Sequence, residues 1–254
     1  MTDFCGNGTG IALTFDIDWC DDGVLAKTIE RVEKADVRAT FFVTHDTPLL
    51  ARMRENPNIE LGIHPNFNKL LSGEHGLPEG GFRAVLESLK ALVPEAESTR
   101  SHALTTNSVI LSALKDYGIR RDVNWYIPLT SGMGLKPYYH IDRQLIRIPF
   151  FFEDDAHCAE LDSGFPHDWE PARWLTAPDM PYRVFNFHPI HLFLNSETMA
   201  RYEAARPFFH DMEGLGGQVN AVGPGAAAFF EGVISEGKRM GLPFLRVKDI
   251  QIPS

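Results

Sequence analysis

Near its N-terminus the chain carries the run Ile11-Ala12-Leu13-Thr14-Phe15-Asp16-Ile17-Asp18, in which an apolar segment ends in two carboxylates one residue apart. A short apolar run bounded by glycine and aspartate predicts a buried strand. A second such run, residues 59–63, ends in His64. Carboxylate oxygens and imidazole nitrogens are ligands that divalent metals prefer. Two strands that deliver these groups at their C-terminal ends would build a metal site at the mouth of an α/β fold.

Predicted strands and helices alternate along the rest of the chain. We predict strands over residues 11–15, 39–43, 59–63, 145–150, 183–187 and 244–247, and helices over residues 23–34, 48–54, 81–93, 108–117 and 223–240. This alternation is typical of a parallel sheet with helical crossovers. The stretch from Asp154 to Asp179 is rich in proline, tryptophan and acidic residues, and we predict an irregular functional loop there.

Length and charge restrict the class of protein. A chain of 254 residues suits one α/β-barrel-sized domain with a substantial core, and we expect a single domain over residues 1–254. The 34 acidic residues outnumber the 24 basic ones, the formal net charge is -10, and no long basic cluster is present. We therefore do not expect nucleic acid as a partner.

The sequence also bears on the cellular compartment. The first residues lack the basic and apolar segments of a signal peptide, and no window of about 18 apolar residues is available to span a bilayer. Three scattered cysteines form no Cys-x-x-Cys pair, and their odd number favours reduced thiols. We expect a cytoplasmic protein without a membrane span.

The two carboxylates of the first run point to the same side of an extended strand, because strand side chains repeat every two residues. One of Asp16 and Asp18 can then hold a metal while the other accepts a proton. The alternative is a solvated pair of aspartates at a strand end, one of them capping the next helix.

His64 and Asn68 lie four residues apart. On one helical turn this spacing places both side chains on one face, and Pro65 suits the first turn of a helix. The alternative is a surface turn with no ligand role.

Three later positions are candidates for proton chemistry. A buried Arg100 beside Asp16 would keep that carboxylate ionised; the alternative is an exposed charge. His188 follows a predicted strand and can act as a general acid, with His191 as a competitor and a structural histidine as the alternative. Asp154 belongs to an acidic triple that is either a solvated loop or orients Arg100 or a histidine.

Taken in order, residues 14–16, 37–43 and 58–64 resemble the metal-dependent polysaccharide deacetylases, carbohydrate esterase family 4. The stretches around Arg100, residues 148–149 and His188 fit the resemblance more loosely. It implies an irregular (β/α) barrel of about seven parallel strands. It also implies removal of acetyl groups from N- or O-acetylated sugars with one divalent metal ion, most often Zn, with Co, Ni, Mn or Fe as other options.

By position, the resemblance assigns the catalytic base to Asp16, its arginine partner to Arg100 and the general acid to His188. It assigns the metal ligands to Asp18, His64 and Asn68, the last standing where the family usually has a second histidine. Arg-Ser-His-Ala replaces the family's Arg-x-Pro-aromatic motif, and its histidine is an alternative third ligand. Substrate contacts are expected among the remaining candidates: His102, His191, Trp19 and Asp154.

The predicted function is hydrolysis of an acyl group, acetyl above all, from an amino sugar or a sugar intermediate of surface-polysaccharide biosynthesis. Two alternatives remain open. One is an amidohydrolase that acts on a small non-sugar amide or ureide, and the other is a non-catalytic sugar-binding protein on a decayed deacetylase scaffold. The acyl group, the sugar and the oligomeric state are not determined by the sequence.

Overall fold

The structure is a computed structural model that describes residues 9–18, 20–72, 80–164 and 168–252. Within these residues the chain forms one sheet of ten strands, β1 to β10 in chain order. Their bounds are Gly10–Asp16, Ala39–Val43, Ile59–Ile63, Ser98–Thr99, Arg121–Tyr126, Tyr138–Tyr139, Ile146–Phe150, Phe152–Glu153, Tyr182–Phe187 and Phe244–Leu245.

The sheet has the order β6-β7-β5-β4-β3-β2-β1-β9-β8, and β10 pairs with the start of β1. All pairs are parallel except β6 with β7. The segment 146–153 curls this sheet on itself. Its first part, β7, pairs with β5, and after Phe151 its second part, β8, pairs with β9. One stretch of chain thus reaches both ends of the parallel series, and the predicted irregular (β/α) barrel is confirmed.

Eleven α-helices, α1 to α11 in chain order, lie within the described part of the chain. Their bounds are Asp22–Ala35, Leu49–Glu55, Asn68–Ser72, Phe82–Leu92, Ser108–Ala113, Asp154–Asp162, Pro171–Leu175, Pro189–Leu194, Met199–Ala205, Met212–Gly216 and Ala226–Arg239. Short 3₁₀ helices cover His102–Leu104, Leu114–Tyr117, Leu129–Ser131, Arg206–Phe208 and Val247–Asp249. None of the described helices is both long and apolar enough to cross a membrane.

Period-two alternation divides the side chains of β1 between two cores. In β1, Ile11, Leu13 and Phe15 belong to the large core that includes residues of the surrounding helices. Ala12 belongs to a second, smaller core with residues of β2, β5, β7 and β9 and of the C-terminal segment. Because side chains alternate, Thr14 and Asp16 lie on the same face as Ala12. The polar side chains at the end of β1 therefore face the barrel interior.

The C-terminal segment closes the opposite end of the barrel. Val247 and Ile250 are fully buried in the smaller core. The backbone N–H of Val247 donates to Thr40 Oγ1 at 2.9 Å, and that of Lys248 donates to Glu60 Oε2 at 2.9 Å. Thr40 and Glu60 lie near the starts of their strands. Side chains at the C-terminal strand ends are therefore left to form the site.

Two local predictions are wrong. The stretch from Asp154 to Asp179 contains α6 and α7 instead of an irregular loop, because acidic residues in the first turn of α6 and Pro171 at the first turn of α7 favour helix starts. His64 and Asn68 do not share a helical turn. The following proline favours an extended His64, and α3 begins only at Asn68.

The prediction also missed β5, Arg121–Tyr126. Its buried residues are Asp122, Val123 and Asn124, so polar side chains interrupt the apolar pattern. Asp122 accepts hydrogen bonds from Arg147 Nε at 2.9 Å and from Asn124 Nδ2 at 2.5 Å. These partners come from the fold and leave no periodic signal in the sequence.

Candidate active site

Asp16 and Arg100 form a buried ion pair at the C-terminal ends of β1 and β4. Asp16 is 1% exposed and Arg100 is fully buried. Arg100 Nη1 lies 3.2 Å from Asp16 Oδ1. Burial alone would raise the pKa of Asp16, but the Arg100 guanidinium and the nearby His64 lower it well below its usual range. Asp16 is therefore ionised and able to accept a proton.

The Arg100 guanidinium is fixed from several directions. Its Nη2 donates to Thr14 Oγ1 at 2.7 Å, and its Nε donates to the carbonyl oxygen of Val123 at 3.2 Å. The ring centroids of Phe42 and Phe150 each lie 4.7 Å from Arg100 Cζ. These contacts leave the guanidinium little freedom, so that it presents one edge to Asp16.

Asn186, on β9, connects the ion pair to a second carboxyl group. Its Oδ1 accepts a short hydrogen bond from Arg100 Nη1. Its Nδ2 donates to Asp16 Oδ2 at 2.9 Å and to Glu153 Oε1 at 2.8 Å. Sequence reasoning missed this residue. The available signal was its position two residues before His188, between the apolar residues Phe185 and Phe187, which places Asn186 and His188 on one face.

Asp18, His64 and His102 form a second cluster, in which each residue offers a ligand atom within 4.8 Å of the others. Asp18 Oδ2 lies 2.8 Å from His102 Nδ1 and 3.8 Å from His64 Nε2. Burial raises the pKa of Asp18, but the hydrogen bond from His102 and the proximity of His64 outweigh it and lower the pKa. The carboxylate form, which a metal needs, is favoured.

These residues fit a metal ion. Ligands of a tetrahedral ion at about 2.1 Å lie roughly 3.4 Å apart, a value between the two distances measured from Asp18 Oδ2. Asp18 Oδ1 is buried, and no hydrogen bond within the described part of the chain satisfies it. Since buried polar atoms normally have partners, this oxygen is available to a cation. Two other sets of candidate ligand residues share His188, but the Nδ1 atom of His188 already contacts Asp154.

Asn68 differs from these residues in its exposure to solvent. It is exposed at the start of α3, and its backbone N–H donates to Asn66 Oδ1 at 2.9 Å. A cavity of about 380 Å³ adjoins Asp18, His64 and His102, and Asn66 lines it instead of Asn68. The geometry favours His102 over Asn68 as the third ligand.

His188 faces Asp16 from the end of β9. Its Nδ1 lies 2.7 Å from Asp154 Oδ1, and its backbone N–H donates to Asp154 Oδ2 at 2.8 Å. Burial lowers the pKa of His188, but Asp154 and Asp155 outweigh it and raise the pKa well above its usual value. Asp154 is fully buried, so its placement favours orientation of the histidine over contact with substrate.

One cavity brings these groups together. It has a volume of about 280 Å³ and is lined by Asp16, His64, Ser101, His102, Ala103, Leu104, Glu153, Asp155 and His188. A base, an acid and two candidate metal ligands therefore border a single space that could hold a small acyl group.

His191 is not in that cavity. It is fully buried and stacks on Tyr202 with ring centroids 4.9 Å apart. It lines a neighbouring cavity of about 580 Å³ with Cys20 and Asp155. Burial lowers its pKa, so the geometry favours His188 as the acid. Trp19, a predicted substrate contact, lies outside the described residues.

Comparisons with known proteins place this chain beside polysaccharide deacetylases. The WbmS-like polysaccharide deacetylase family model matches residues 13–206. A Bordetella bronchiseptica protein described as a polysaccharide deacetylase involved in O-antigen biosynthesis is 37% identical, with a TM-score of 0.79, and the match covers 89% of this chain and 90% of that one. No curated protein matches the chain.

Two more distant solved structures are also similar. A family 4 acetyl xylan esterase from Clostridium thermocellum, in complex with a cobalt ion, is 14% identical with a TM-score of 0.46, and the match covers 94% of this chain and 89% of that one. The family 4 pseudoenzyme BA3943 from Bacillus anthracis is 13% identical with a TM-score of 0.44, and the match covers 95% of this chain and 65% of that one.

Proposed function

This chain belongs to the WbmS-like polysaccharide deacetylase family, and we propose that it hydrolyses an acyl group, acetyl above all, from an amino sugar or sugar intermediate of surface-polysaccharide biosynthesis. The observation that carries the proposal is the pairing of an ionised base with an oriented acid. Arg100 holds Asp16, Asp154 holds His188, and Asp16 and His188 both line one cavity. A protein that only binds sugar has no need of either pair.

Asp18, His64 and His102 are the residues we propose as metal ligands, with zinc as the most suitable ion for nitrogen and oxygen donors. When bound there, a divalent ion would supply a water of lowered pKa and polarise the acyl carbonyl. The metal identity and the choice of His102 over Asn68 belong to this proposal.

Asp16 accepts the proton of the attacking water. It can do so at neutral pH because Arg100 and His64 keep it ionised, and its position beside His64 places it next to the proposed ligands. Arg100 does not exchange protons; it fixes the orientation of the carboxylate.

His188 then donates a proton to the leaving nitrogen or oxygen. Asp154 accepts the hydrogen bond from Nδ1 and orients the imidazole ring, and we propose Nε2 as the atom that donates the proton. The raised pKa of His188 favours the protonated form, which a general acid requires.

The substrate class rests on the Bordetella relative, which is described as acting in O-antigen biosynthesis. We propose a soluble acetylated intermediate, and a panel of UDP-N-acetylhexosamines, N,N′-diacetylchitobiose, O-acetylated sugars and cyclic ureides tests it. Acetate release from a sugar, lost with chelator and restored by zinc, is the expected result. Asp16→Asn should abolish release while it retains metal.

The other outcomes discriminate among functions. Turnover of a ureide in preference to every sugar would indicate an amidohydrolase. Sugar affinity that chelator does not change, without any turnover, would indicate a binding protein. Full activity of Asp16→Asn would contradict the assignment of the base.

The third ligand has its own test. His102→Ala should lower zinc content measured by elemental analysis and weaken zinc binding by about 10- to 100-fold or more, since a direct ligand matters at least as much as its supporting partners. Asn68→Ala, an exposed residue four positions after His64, is the matched control and should bind zinc as wild type does. The reverse pattern would restore Asn68 as the ligand.

A further inference from the structure

Glu153 is a carboxyl group that the mechanism above does not use. It lies at the end of β8, directly before α6, and it lines the catalytic cavity. Glu153, Asp16 and His188 each offer a polar atom within 4.8 Å of the others. The side chain is only partly buried, so part of it faces the space that substrate would occupy.

The hydrogen bonds of Asn186 determine which oxygen of Glu153 is available. Because Asn186 Oδ1 accepts from Arg100, its amide group must donate, and it donates to Glu153 Oε1 at 2.8 Å. Among the residues that the structure describes, no donor contacts Oε2. That oxygen is therefore the one left for a ligand.

The charges around Glu153 favour its neutral form. The same amide group binds both Asp16 and Glu153, but Arg100 forms its ion pair with Asp16. Burial together with Asp155 and Asp16 raises the pKa of Glu153 to about 8, against the opposing influence of His188 and Arg100. Tyr126, at the end of β5, also lies near Glu153; burial and nearby carboxylates, including that of Glu153, raise its pKa, so it remains neutral. When the pKa values of two neighbouring carboxyl groups are shifted in opposite directions, the groups take opposite roles, one as an acceptor and the other as a donor.

We propose that Glu153 is a specificity-determining residue that donates a hydrogen bond from its protonated Oε2 to a substrate oxygen beside the scissile acyl group, such as a sugar hydroxyl. The inference rests on the proposed function, since it presumes a sugar in the cavity. Glu153 transfers no proton in the reaction. It selects acylated molecules that carry an acceptor at this place, and Asn186 holds it in position.

Two substrates separate substrate contact from a merely structural role. The acetylated sugar that the panel identifies carries ring hydroxyls, whereas p-nitrophenyl acetate has an acetyl group but no sugar. Glu153→Ala should lower kcat/KM for the sugar at least about tenfold, mainly through KM, because a substrate oxygen loses its donor. For p-nitrophenyl acetate it should change kcat/KM less than about threefold. Glu153→Gln, whose amide can donate from the same place, should recover most of the loss.

The protonation state has a measurement independent of activity. In the zinc-loaded protein with ¹³C-labelled glutamate, the NMR signal that disappears in Glu153→Gln should titrate above the ordinary range of a glutamate carboxyl group. Glu55→Gln, an exposed change at the end of α2, is the control for assignment and activity.

Each outcome is decisive. Equal losses for both substrates in Glu153→Ala would show that Glu153 only positions Asp16 through Asn186. An ordinary carboxyl pKa, or no effect of Glu153→Ala on the sugar, would overturn the inference and leave the proposed function intact. No turnover of any sugar by wild-type protein would overturn the proposed function, and this inference with it.

Discussion

Arg100 shows how much of the site depends on single side chains. A fully buried guanidinium is tolerated because every edge and both faces have partners. The ionised state of Asp16 depends on that guanidinium. For a carboxyl group with a lowered pKa, ionisation stabilises the fold above the ordinary pKa of 3.8 and stops doing so as pH falls through the lower folded value.

Arg100→Met should therefore destabilise the protein by about 3–5 kcal/mol, because it leaves Asp16 buried without its partner. The acidic limb of the kcat/KM profile should move to higher pH, since burial then raises the pKa of Asp16 with less opposition. Urea unfolding and a pH–rate profile measure the two effects. If Arg100→Met does not fold, Arg100→Lys provides a milder variant with the same direction of shift. An unmoved acidic limb would contradict the role of Arg100.

Asp154 has the corresponding role for the acid. The pKa of His188 is raised, so its protonation stabilises the fold below the ordinary value of 6.5, and this stabilisation is lost as pH rises through the folded value. Asp154→Asn should lower the pKa of His188 and move the alkaline limb of kcat/KM to lower pH. Asp46→Asn, at an exposed position, should leave the profile unchanged. If the alkaline limb stays in place in Asp154→Asn, His188 is not the group whose titration produces that limb.

At the scale of elements, close approach between strands shapes the site. Gly62 on β3 lies opposite Phe42 on β2. A Cβ atom at Gly62 would be 2.6 Å from the Phe42 ring and 2.6 Å from Ser98 Oγ. Because the Phe42 ring also covers Arg100, the absence of a side chain at Gly62 affects the ion pair of Arg100 with Asp16.

Gly62→Ala should cost about 1–3 kcal/mol in unfolding free energy, as overpacking typically does, and should lower kcat because Phe42 must move away from Arg100. Gly216→Ala is the control, since a Cβ there meets nothing within 4 Å, and in α10 alanine should be neutral or slightly stabilising. Urea denaturation with a parallel activity assay measures both. An unaffected Gly62→Ala would mean that the strands adjust without disturbing Arg100.

At the scale of the whole molecule, the residues that fill the core and the residues proposed for catalysis lie at opposite ends of the barrel. The C-terminal segment fills one end with Val247 and Ile250, and the groups proposed for catalysis occupy the other. A change at the filled end should therefore affect folding more than catalysis.

Ile250→Ala should lower the unfolding free energy by about 2–5 kcal/mol through lost burial and cavity formation, while KM for the acetylated sugar remains that of wild type. Ile141, which is 92% exposed, offers the control Ile141→Ala, expected within about 0.5 kcal/mol of wild type. Denaturant titration together with steady-state kinetics checks both. A large change in KM in a folded Ile250→Ala protein would contradict this separation.

The strand–helix alternation was predictable from the chain because it depends on local periodicity. The barrel, in contrast, was expected only from the resemblance to the polysaccharide deacetylases. The position of Asp16, Asp18, His64 and His188 at strand ends was predictable from the chain as well, since each apolar run is followed directly by its polar residue. The local sequence also determines that Asp16 points inward with Ala12, because side chains four residues apart on a strand lie on the same face.

The partners of these residues depend on the tertiary structure. Arg100 meets Asp16 and His102 meets Asp18 across 84 positions of sequence, and Asn186 meets Asp16 across 170. Neither periodicity nor spacing encodes such contacts, because barrel closure and the turn at Pro65 determine which side chains converge. For the same reason the protonation states follow from burial and neighbouring charge in the folded chain, whereas the residue types alone predict only which groups are able to titrate.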